Sequence, residues 1–365
     1  MPSAALKPTF LEFFAGSGLV REGLKGLLEP VWANDNCERK AAVYAANHDA
    51  RRLRVESIER VRGKELPDAP IAWASFPCQD LSLAGNAAGI EAARSGLVWE
   101  WLRVIDEMRR RPPVIVAENV LGLLSSAQGR HYEALHTALR ARGYRPGAIV
   151  LDAVRWVPQS RPRVFVVAVQ ADVRIPDALR ASGPTWLQPA SVINIARRLD
   201  DWIWWSMPEP PPRSQTLHDV VEWDAAFAHA QLERRCLQLI SPRHAARIAT
   251  IPEHESFVAP GYRRTRRQGQ VLELRFDGVA GCLRTPEGGS SRQVLVMRRA
   301  GVLRARLLTA REAARLMGAP ETYALPGSYN DAYKAMGDAV AAPVARWLGR
   351  HLLAPLAAAV ATSAA

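Results

Sequence analysis

Leu11-Glu12-Phe13-Phe14-Ala15-Gly16-Ser17-Gly18 is an apolar run that stops at a glycine turn, and Leu19, Gly23, Leu24, Leu27 and Leu28 follow at helical spacing. The stretch reads as strand, turn and helix. Gly16 and Gly18 carry no Cβ to hold a ligand away from the backbone amides at the positive end of the helix. A second apolar run, Val31-Trp32-Ala33, leads into Asn34-Asp35. This places an acid about 20 residues beyond the glycines, where nucleotide-binding βαβ units commonly hold ribose hydroxyls. The pair points to a ligand containing adenosine, although an ordinary βα turn followed by a solvated Asp has the same signature.

Working outward, Ile71-Ala72-Trp73-Ala74-Ser75-Phe76 is a further strand pattern, and it ends at Pro77-Cys78-Gln79. A thiol on a stiff turn at a strand's end is displayed as a nucleophile, and sulfur is suited to adding to an electron-poor carbon. Taken alone, Cys78 fits a buried structural cysteine at least as well. Pro113-Val114-Ile115-Val116-Ala117 runs into Glu118-Asn119-Val120, so a second chemically active side chain sits at a strand's end. Val157-Pro158-Gln159-Ser160-Arg161-Pro162-Arg163 leads into Val164-Phe165-Val166-Val167-Ala168-Val169. Alternate residues of an extended segment point the same way, so Arg161 and Arg163 are expected to grip one phosphate or base carbonyl together. Alternating strand and helix patterns up to about residue 178 predict an open parallel sheet with helices on both faces, its ligands gathered beyond the strands' C-terminal ends.

In this order the segments resemble the DNA (cytosine-5)-methyltransferases that use S-adenosylmethionine. Phe13-Phe14-Ala15-Gly16-Ser17-Gly18 is similar to that family's cofactor loop, and Phe76-Pro77-Cys78-Gln79-Asp80-Leu81-Ser82 with Ala84-Gly85 to its nucleophile loop. Glu118-Asn119-Val120 and Gln159-x-Arg161-x-Arg163 look like the two catalytic segments that follow, and residues 306–318 and 333–340 like its last two blocks. A long unmatched stretch lies where the family keeps its variable recognition region. The resemblance implies an α/β, Rossmann-like S-adenosylmethionine-dependent methyltransferase fold with a smaller, irregular target-recognition domain. On this reading residues 1–178 form the catalytic and cofactor-binding domain, 179–326 the DNA-reading domain, and 327–365 a C-terminal segment completing the catalytic domain.

The resemblance also implies roles. Cys78 adds to C6 of a flipped-out cytosine, which makes C5 nucleophilic enough to accept a methyl group, while Glu118 protonates or hydrogen-bonds ring N3. Arg161 holds the base's O2 and helps orient Glu118, and Arg163 and Ser82 position base and phosphodiester. Phe14 packs on the cofactor's adenine, Gly16 and Gly18 admit its methionine moiety, and Asp35 binds its ribose. Pro77 and Leu97 line the same site, to which Ala15, Ser17, Asn36, Ser57, Ile58, Asp338 and Ala339 also belong. Gln79, Ser82, Cys282 and the run Arg263, Arg264, Arg266 and Arg267 are the DNA-binding candidates. Three residues depart from the family pattern: Ser57 stands where an acid usually receives the adenine amino group, Cys282 where Thr is usual, and Asp338 where Asn is usual. The competing expectations are a non-catalytic regulator that binds DNA and cofactor, and an RNA cytosine-5 methyltransferase.

Composition agrees. The 365 residues suit two domains, and Lys plus Arg (48) exceed Asp plus Glu (36) for a net charge of +12, which favours a polyanionic partner such as double-stranded DNA. Residues 241–306 hold 13 Arg, no Lys and 5 acidic residues, although a solvated basic loop would look the same. Cys37, Cys78, Cys236 and Cys282 are far apart, which argues for a reducing compartment and against a structural zinc. No signal peptide is expected before the first strand, and the apolar stretch 352–361 is too short to span a bilayer. A cytoplasmic, nucleoid-associated monomer is expected, with any cognate restriction endonuclease acting separately.

Overall fold

The computed structural model describes residues 7–77, 96–227, 230–267, 269–284 and 292–363. The chain divides into two compact units. The first comprises Met1–Asp152, Pro162–Pro210 and Val344–Ala365, the second Ala153–Arg161 and Pro211–Pro343.

The first unit is built on seven strands: β1 (Thr9–Phe13), β2 (Glu29–Asp35), β3 (Leu53–Val55), β4 (Ile71–Ser75), β5 (Val114–Val120), β6 (Tyr144–Asp152) and β7 (Pro162–Gln170). Their order across the sheet is β3-β2-β1-β4-β5-β7-β6. Strands β4 and β5 are continuous apolar runs because both of their faces are covered, which is the pattern of a parallel sheet packed between helices. The pairings of β1 with β2 and β4, of β2 with β3, and of β4 with β5 are parallel as expected. Strand β7 departs from the expectation, pairing antiparallel with both β5 and β6. The cause is the length of the link Ala153–Arg161, which is shorter than the dozen or so residues a parallel crossover needs. Among the helices, α1 (Leu19–Leu24) ends early at Leu24 and gives way to a turn at Gly26, whose φ is +84°. It is followed by α2 (Glu38–Asn47) and α3 (Leu97–Glu107). Trp101 of α3, Phe13 and Trp32 meet in the core, with the Phe13 and Trp32 rings 4.9 Å apart.

The first unit extends to Pro210, past the expected boundary at 178. Arg180 bridges Trp205, and the Trp205 indole N–H donates to the carbonyls of Gly147 and Val167 at 3.3 and 3.2 Å. Gly147 is required there, since a Cβ would stand 2.1 Å from the Ile203 carbonyl oxygen. The C-terminal return also starts later than 327, at Val344, where Arg346 donates to the Lys25 carbonyl.

The second unit is more regular than anticipated. Strands β8 (Phe257–Arg266), β9 (Gly269–Leu274), β10 (Val294–Arg299) and β11 (Val302–Leu307) form an antiparallel sheet ordered β11-β10-β8-β9. One face covers a core of Cys236, Ile248, Ala259, Leu272, Val294, Val296 and Ala305. Arg306 and Glu312 form a buried bidentate pair at 2.7 Å, and Glu312 also accepts from the backbone of Thr309 and Glu222. No helix among the described residues is long and apolar enough to cross a membrane, and no cluster of metal-ligating side chains occurs among them.

Candidate active site

The strand register aligns the carboxyl ends of the central strands of the first unit. Phe13 pairs with Asn34 and Ala74, Ala74 with Ala117, and Ser75 with Glu118. The residues that follow β1, β2, β4 and β5 therefore leave the sheet along one edge, which is where side chains on separate strands converge in open α/β sheets.

The glycine turn is held by the end of β2. Asp35 is buried, and its two carboxylate oxygens accept from the backbone N–H of Gly16 at 2.8 Å and of Cys37 at 2.9 Å. An ionised carboxylate has about four acceptor sites, so this leaves capacity for ribose hydroxyls. Asn34 accepts from Phe14 N–H and donates to the Glu56 carbonyl, tying the turn to the segment after β3. Phe14 has φ +56°, unusual for a residue with a Cβ and favoured here by these anchors. Gly16 and Gly18 also have positive φ. At Gly18 a Cβ would lie 2.6 Å from His48 and 2.8 Å from Tyr44, so only glycine fits. His48 donates from Nε2 to the Gly18 carbonyl at 3.0 Å, and burial lowers its pKa to about 4, which leaves the ring neutral. Beneath the turn, burial raises the Glu12 carboxyl to about 8 against the opposing effect of Arg21.

The other expected cofactor residues have varied surroundings. Ser17 and Ile58 are buried, Ala15 is buried beside Tyr44, and Asn36 is exposed. Ser57 precedes a short turn and donates to the Glu59 carboxylate at 3.3 Å. Pro77 is exposed just past β4, and Leu97 opens α3 against the core. The six-residue α1 supplies only a short helix dipole, so the turn's own amides matter more than the dipole anticipated from the sequence.

Glu118 and Asn119 are both buried at the end of β5. Arg163, which faces Val120 across the antiparallel pair, brings its Nε to 3.3 Å from Glu118 Oε1. Within this unit Arg163 is therefore a charged partner of Glu118. Arg161 immediately precedes the strand's first residue, Pro162, and its carbonyl accepts from Ala153 N–H at 3.2 Å. Asn119 donates to the Phe76 carbonyl at 2.9 Å, fixing the chain one residue before Pro77. Asn34, Asn119 and Glu12 were not singled out from the sequence. Their only signal is a polar side chain inside, or at the end of, an apolar strand. Cys78, Gln79 and Ser82 lie outside the described residues.

In the second unit Arg161 is buried. It donates to the carbonyls of Gly337 and Ala339, both at 2.7 Å, to that of Leu283 at 3.4 Å, and to Cys282 Sγ at 3.2 Å. Asp338 caps the C-terminus of the helix Tyr329–Gly337. The arginine run does not form one patch, because strand β8 sends alternate residues to opposite faces. Arg264 and Arg266 lie on the same side as Tyr262 and face Glu273 of β9, Arg266 through a hydrogen-bonded ion pair. Arg263 points the other way, where its charge is felt by the buried Cys236, and Arg267 is exposed beyond the strand.

A profile of the family described as C-5 cytosine-specific DNA methylase matches residues 8–354. The chain is 25% identical to the Type II methyltransferase M.Bsp6I of Bacillus sp. (strain RFL6), over 93% of this chain and 96% of that protein. It is also 25% identical to the Type II methyltransferase M.HhaI of Haemophilus parahaemolyticus, over 94% and 93%. In fold it is similar to the S. pombe Dnmt2 methyltransferase, with a TM-score of 0.60 at 18% identity over 94% of this chain and 97% of that one.

Proposed function

The chain belongs to the C-5 cytosine-specific DNA methylase family and is a DNA cytosine-5 methyltransferase, and from that premise we propose that it methylates a flipped-out cytosine within a specific duplex sequence, using S-adenosylmethionine and a covalent Cys78 adduct. The observation that carries the reading is the buried Glu118–Arg163 pair at the carboxyl edge of the sheet whose β1 and β2 ends form the glycine turn. The turn fits the cofactor: backbone at positive φ, a glycine where any Cβ would collide, and a carboxylate with free acceptor sites. When bound, S-adenosylmethionine supplies an electrophilic methyl group.

This chain's residues have four tasks. Phe14 offers its ring to the adenine, and Asp35 accepts from the ribose. Ala15, Gly16, Ser17, Gly18, Asn36, Ser57, Ile58, Pro77 and Leu97 complete the proposed cofactor contacts, as Asp338 and Ala339 do by resemblance alone. The Cys78 thiolate forms a bond to C6 while Glu118 gives a proton to N3, placing electron density on C5. After C5 is alkylated, its proton leaves to a base, the C6–S bond breaks and N3 returns its proton to Glu118, so Cys78 and Glu118 are both regenerated. Arg163 holds Glu118 in place as the charge on its carboxyl changes, a charge-assisted contact in a buried setting. Gln79, Ser82, Cys282 and the exposed arginines take the duplex, mainly through phosphates.

Bisulfite sequencing of plasmid DNA from cells expressing the protein tests the reading. It should reveal methylated cytosines confined to one short sequence context. Plasmid unmodified at cytosine would leave the non-catalytic regulator as the better account.

A further inference from the structure

The segment Pro158–Arg161 is woven into the second unit. Ser160 N–H donates to the Ala280 carbonyl and Ala280 N–H to the Pro158 carbonyl, each a short backbone bond. Gln159 is fully buried. Its amide donates to the Leu316 carbonyl at 2.7 Å, and its oxygen accepts from Leu283 N–H at 3.1 Å. Two residues on, the two terminal nitrogens of the Arg161 guanidinium reach two places: Nη2 donates to the carbonyls of Gly337 and Ala339, and Nη1 to Cys282 Sγ and the Leu283 carbonyl. A helix leaves its last carbonyls without intrahelical partners, and a cation at its C-terminus also meets the negative end of the dipole. Arg161 satisfies both demands for the helix Tyr329–Gly337. Its planar fork spans the two segments at once, a geometry that a point-charge ammonium cannot reproduce.

We propose that Arg161 is a positioning residue, a buried clamp that sets the backbone of Gly337-Asp338-Ala339 and of Cys282-Leu283, and that it acts on cofactor and DNA through those two segments instead of touching the cytosine. The inference rests on the reading of Asp338 and Ala339 as cofactor residues and of Cys282 as a DNA residue. It separates the two arginines of one motif: Arg163 serves the reacting carboxyl, and Arg161 serves the binding segments.

The test compares wild type, Arg161→Lys, Cys282→Ala and Arg163→Lys. S-adenosylmethionine affinity is measured by calorimetry without DNA, and single-turnover methylation with both substrates saturating. Loosening the backbone of Gly337-Asp338-Ala339 is expected to weaken cofactor binding by about 10-fold or more. Arg161→Lys should show that loss, with its single-turnover rate falling less than its cofactor affinity. Cys282→Ala should lose cofactor affinity in the same sense by a smaller factor, which a residue serving DNA alone would not do, and it keeps the comparison open if the lysine variant does not fold. Arg163→Lys should do the reverse, slowing turnover with cofactor affinity unchanged. In an Asp338→Ala background, Arg161→Lys should cost much less cofactor affinity, because contacts in one network are not additive. Unchanged cofactor affinity in Arg161→Lys and Cys282→Ala, with turnover in Arg161→Lys reduced about 100-fold or more, would overturn the proposal and put the guanidinium on the base. A wild type that neither binds cofactor nor turns over defeats the underlying reading, before any variant is compared.

Discussion

Two regions, the carboxyl edge of the first unit's sheet and the β8 surface of the second unit, use their charged side chains in opposite ways. In the first, Glu118 and Arg163 are 9% and 14% exposed and meet at a strand's end, and Asp35 spends its carboxylate on the backbone amides of the glycine turn. In the second, Arg266 and Glu273 are 57% and 35% exposed across neighbouring strands. A buried ion pair loses several kcal/mol when one partner is removed, whereas an exposed pair contributes about 0–1 kcal/mol. Substitutions in the first unit should therefore act on the chemistry and the cofactor, and those on the β8 surface on salt-dependent attraction alone.

The sharpest way to break this contrast is Glu118→Gln. It removes the proton proposed for N3 and leaves Arg163 without its counter-charge, so single-turnover methylation should fall by about 10²–10⁴-fold with DNA binding retained. A rate within 10-fold of wild type would mean that the buried pair is structural. Next in size is Asp35→Ala, which frees the N–H groups of Gly16 and Cys37 and deletes the proposed ribose acceptor. S-adenosylmethionine affinity should drop about 10- to 100-fold by calorimetry, since hydrogen bonds to a charged group contribute roughly 1.5–3 kcal/mol each. Unaltered affinity would move the ribose elsewhere.

A smaller effect is expected at the β8 surface. Changing Arg266 and Arg267 to Ala should weaken binding to every duplex alike and reduce the slope of log affinity against log salt by about 1–2 units, as phosphate contacts do. Arg267 should account for most of the change, because Arg266 already engages Glu273. An unchanged slope would assign both residues to a solvated surface.

The smallest effect concerns stability. The folded-state pKa of Glu12 is raised from 4.5 to about 8, so the native state keeps a proton that the unfolded chain releases. Its contribution is fully present below pH 4.5 and is lost as pH rises through about 8. His48 has the opposite sign, since its folded pKa is lowered from 6.5 to about 4 and stability falls as pH drops through that window. Glu12→Gln should accordingly remove the decline in melting temperature between pH 6.5 and 8, above the His48 window. Retention of that decline would exclude Glu12 as its source.

Most of the first unit was legible because central parallel strands are unbroken apolar runs, and the polar residue that ends each run marks the sheet's carboxyl edge. Asp35 and Glu118 were found in this way. The reversed direction of β7 was also written in the chain, in the shortness of the link after Asp152, but periodicity does not register it. The two arginines of Gln159-x-Arg161-x-Arg163 look equivalent in sequence. Their difference comes from their partners, which for Arg161 lie more than a hundred residues further along the chain. The second unit was least legible. Strand β8 is interrupted by arginines, so it read as an Arg-dense stretch of the expected DNA-reading region and not as a strand whose alternate residues serve a core and a surface. Asn34 and Asn119 escaped because short polar side chains that bond backbone carbonyls have no distinctive spacing.

The central claim is covalent methyl transfer by Cys78, and mechanism-based trapping tests it most directly. Wild type incubated with S-adenosylmethionine and a duplex carrying 5-fluorocytosine at the methylation site should form a complex that survives denaturing electrophoresis, because fluorine cannot leave C5 as the proton does. Cys78→Ala should form none while still binding the duplex. Absence of a trapped complex in a wild type that methylates ordinary DNA, or an equal yield from Cys78→Ala, would contradict the account.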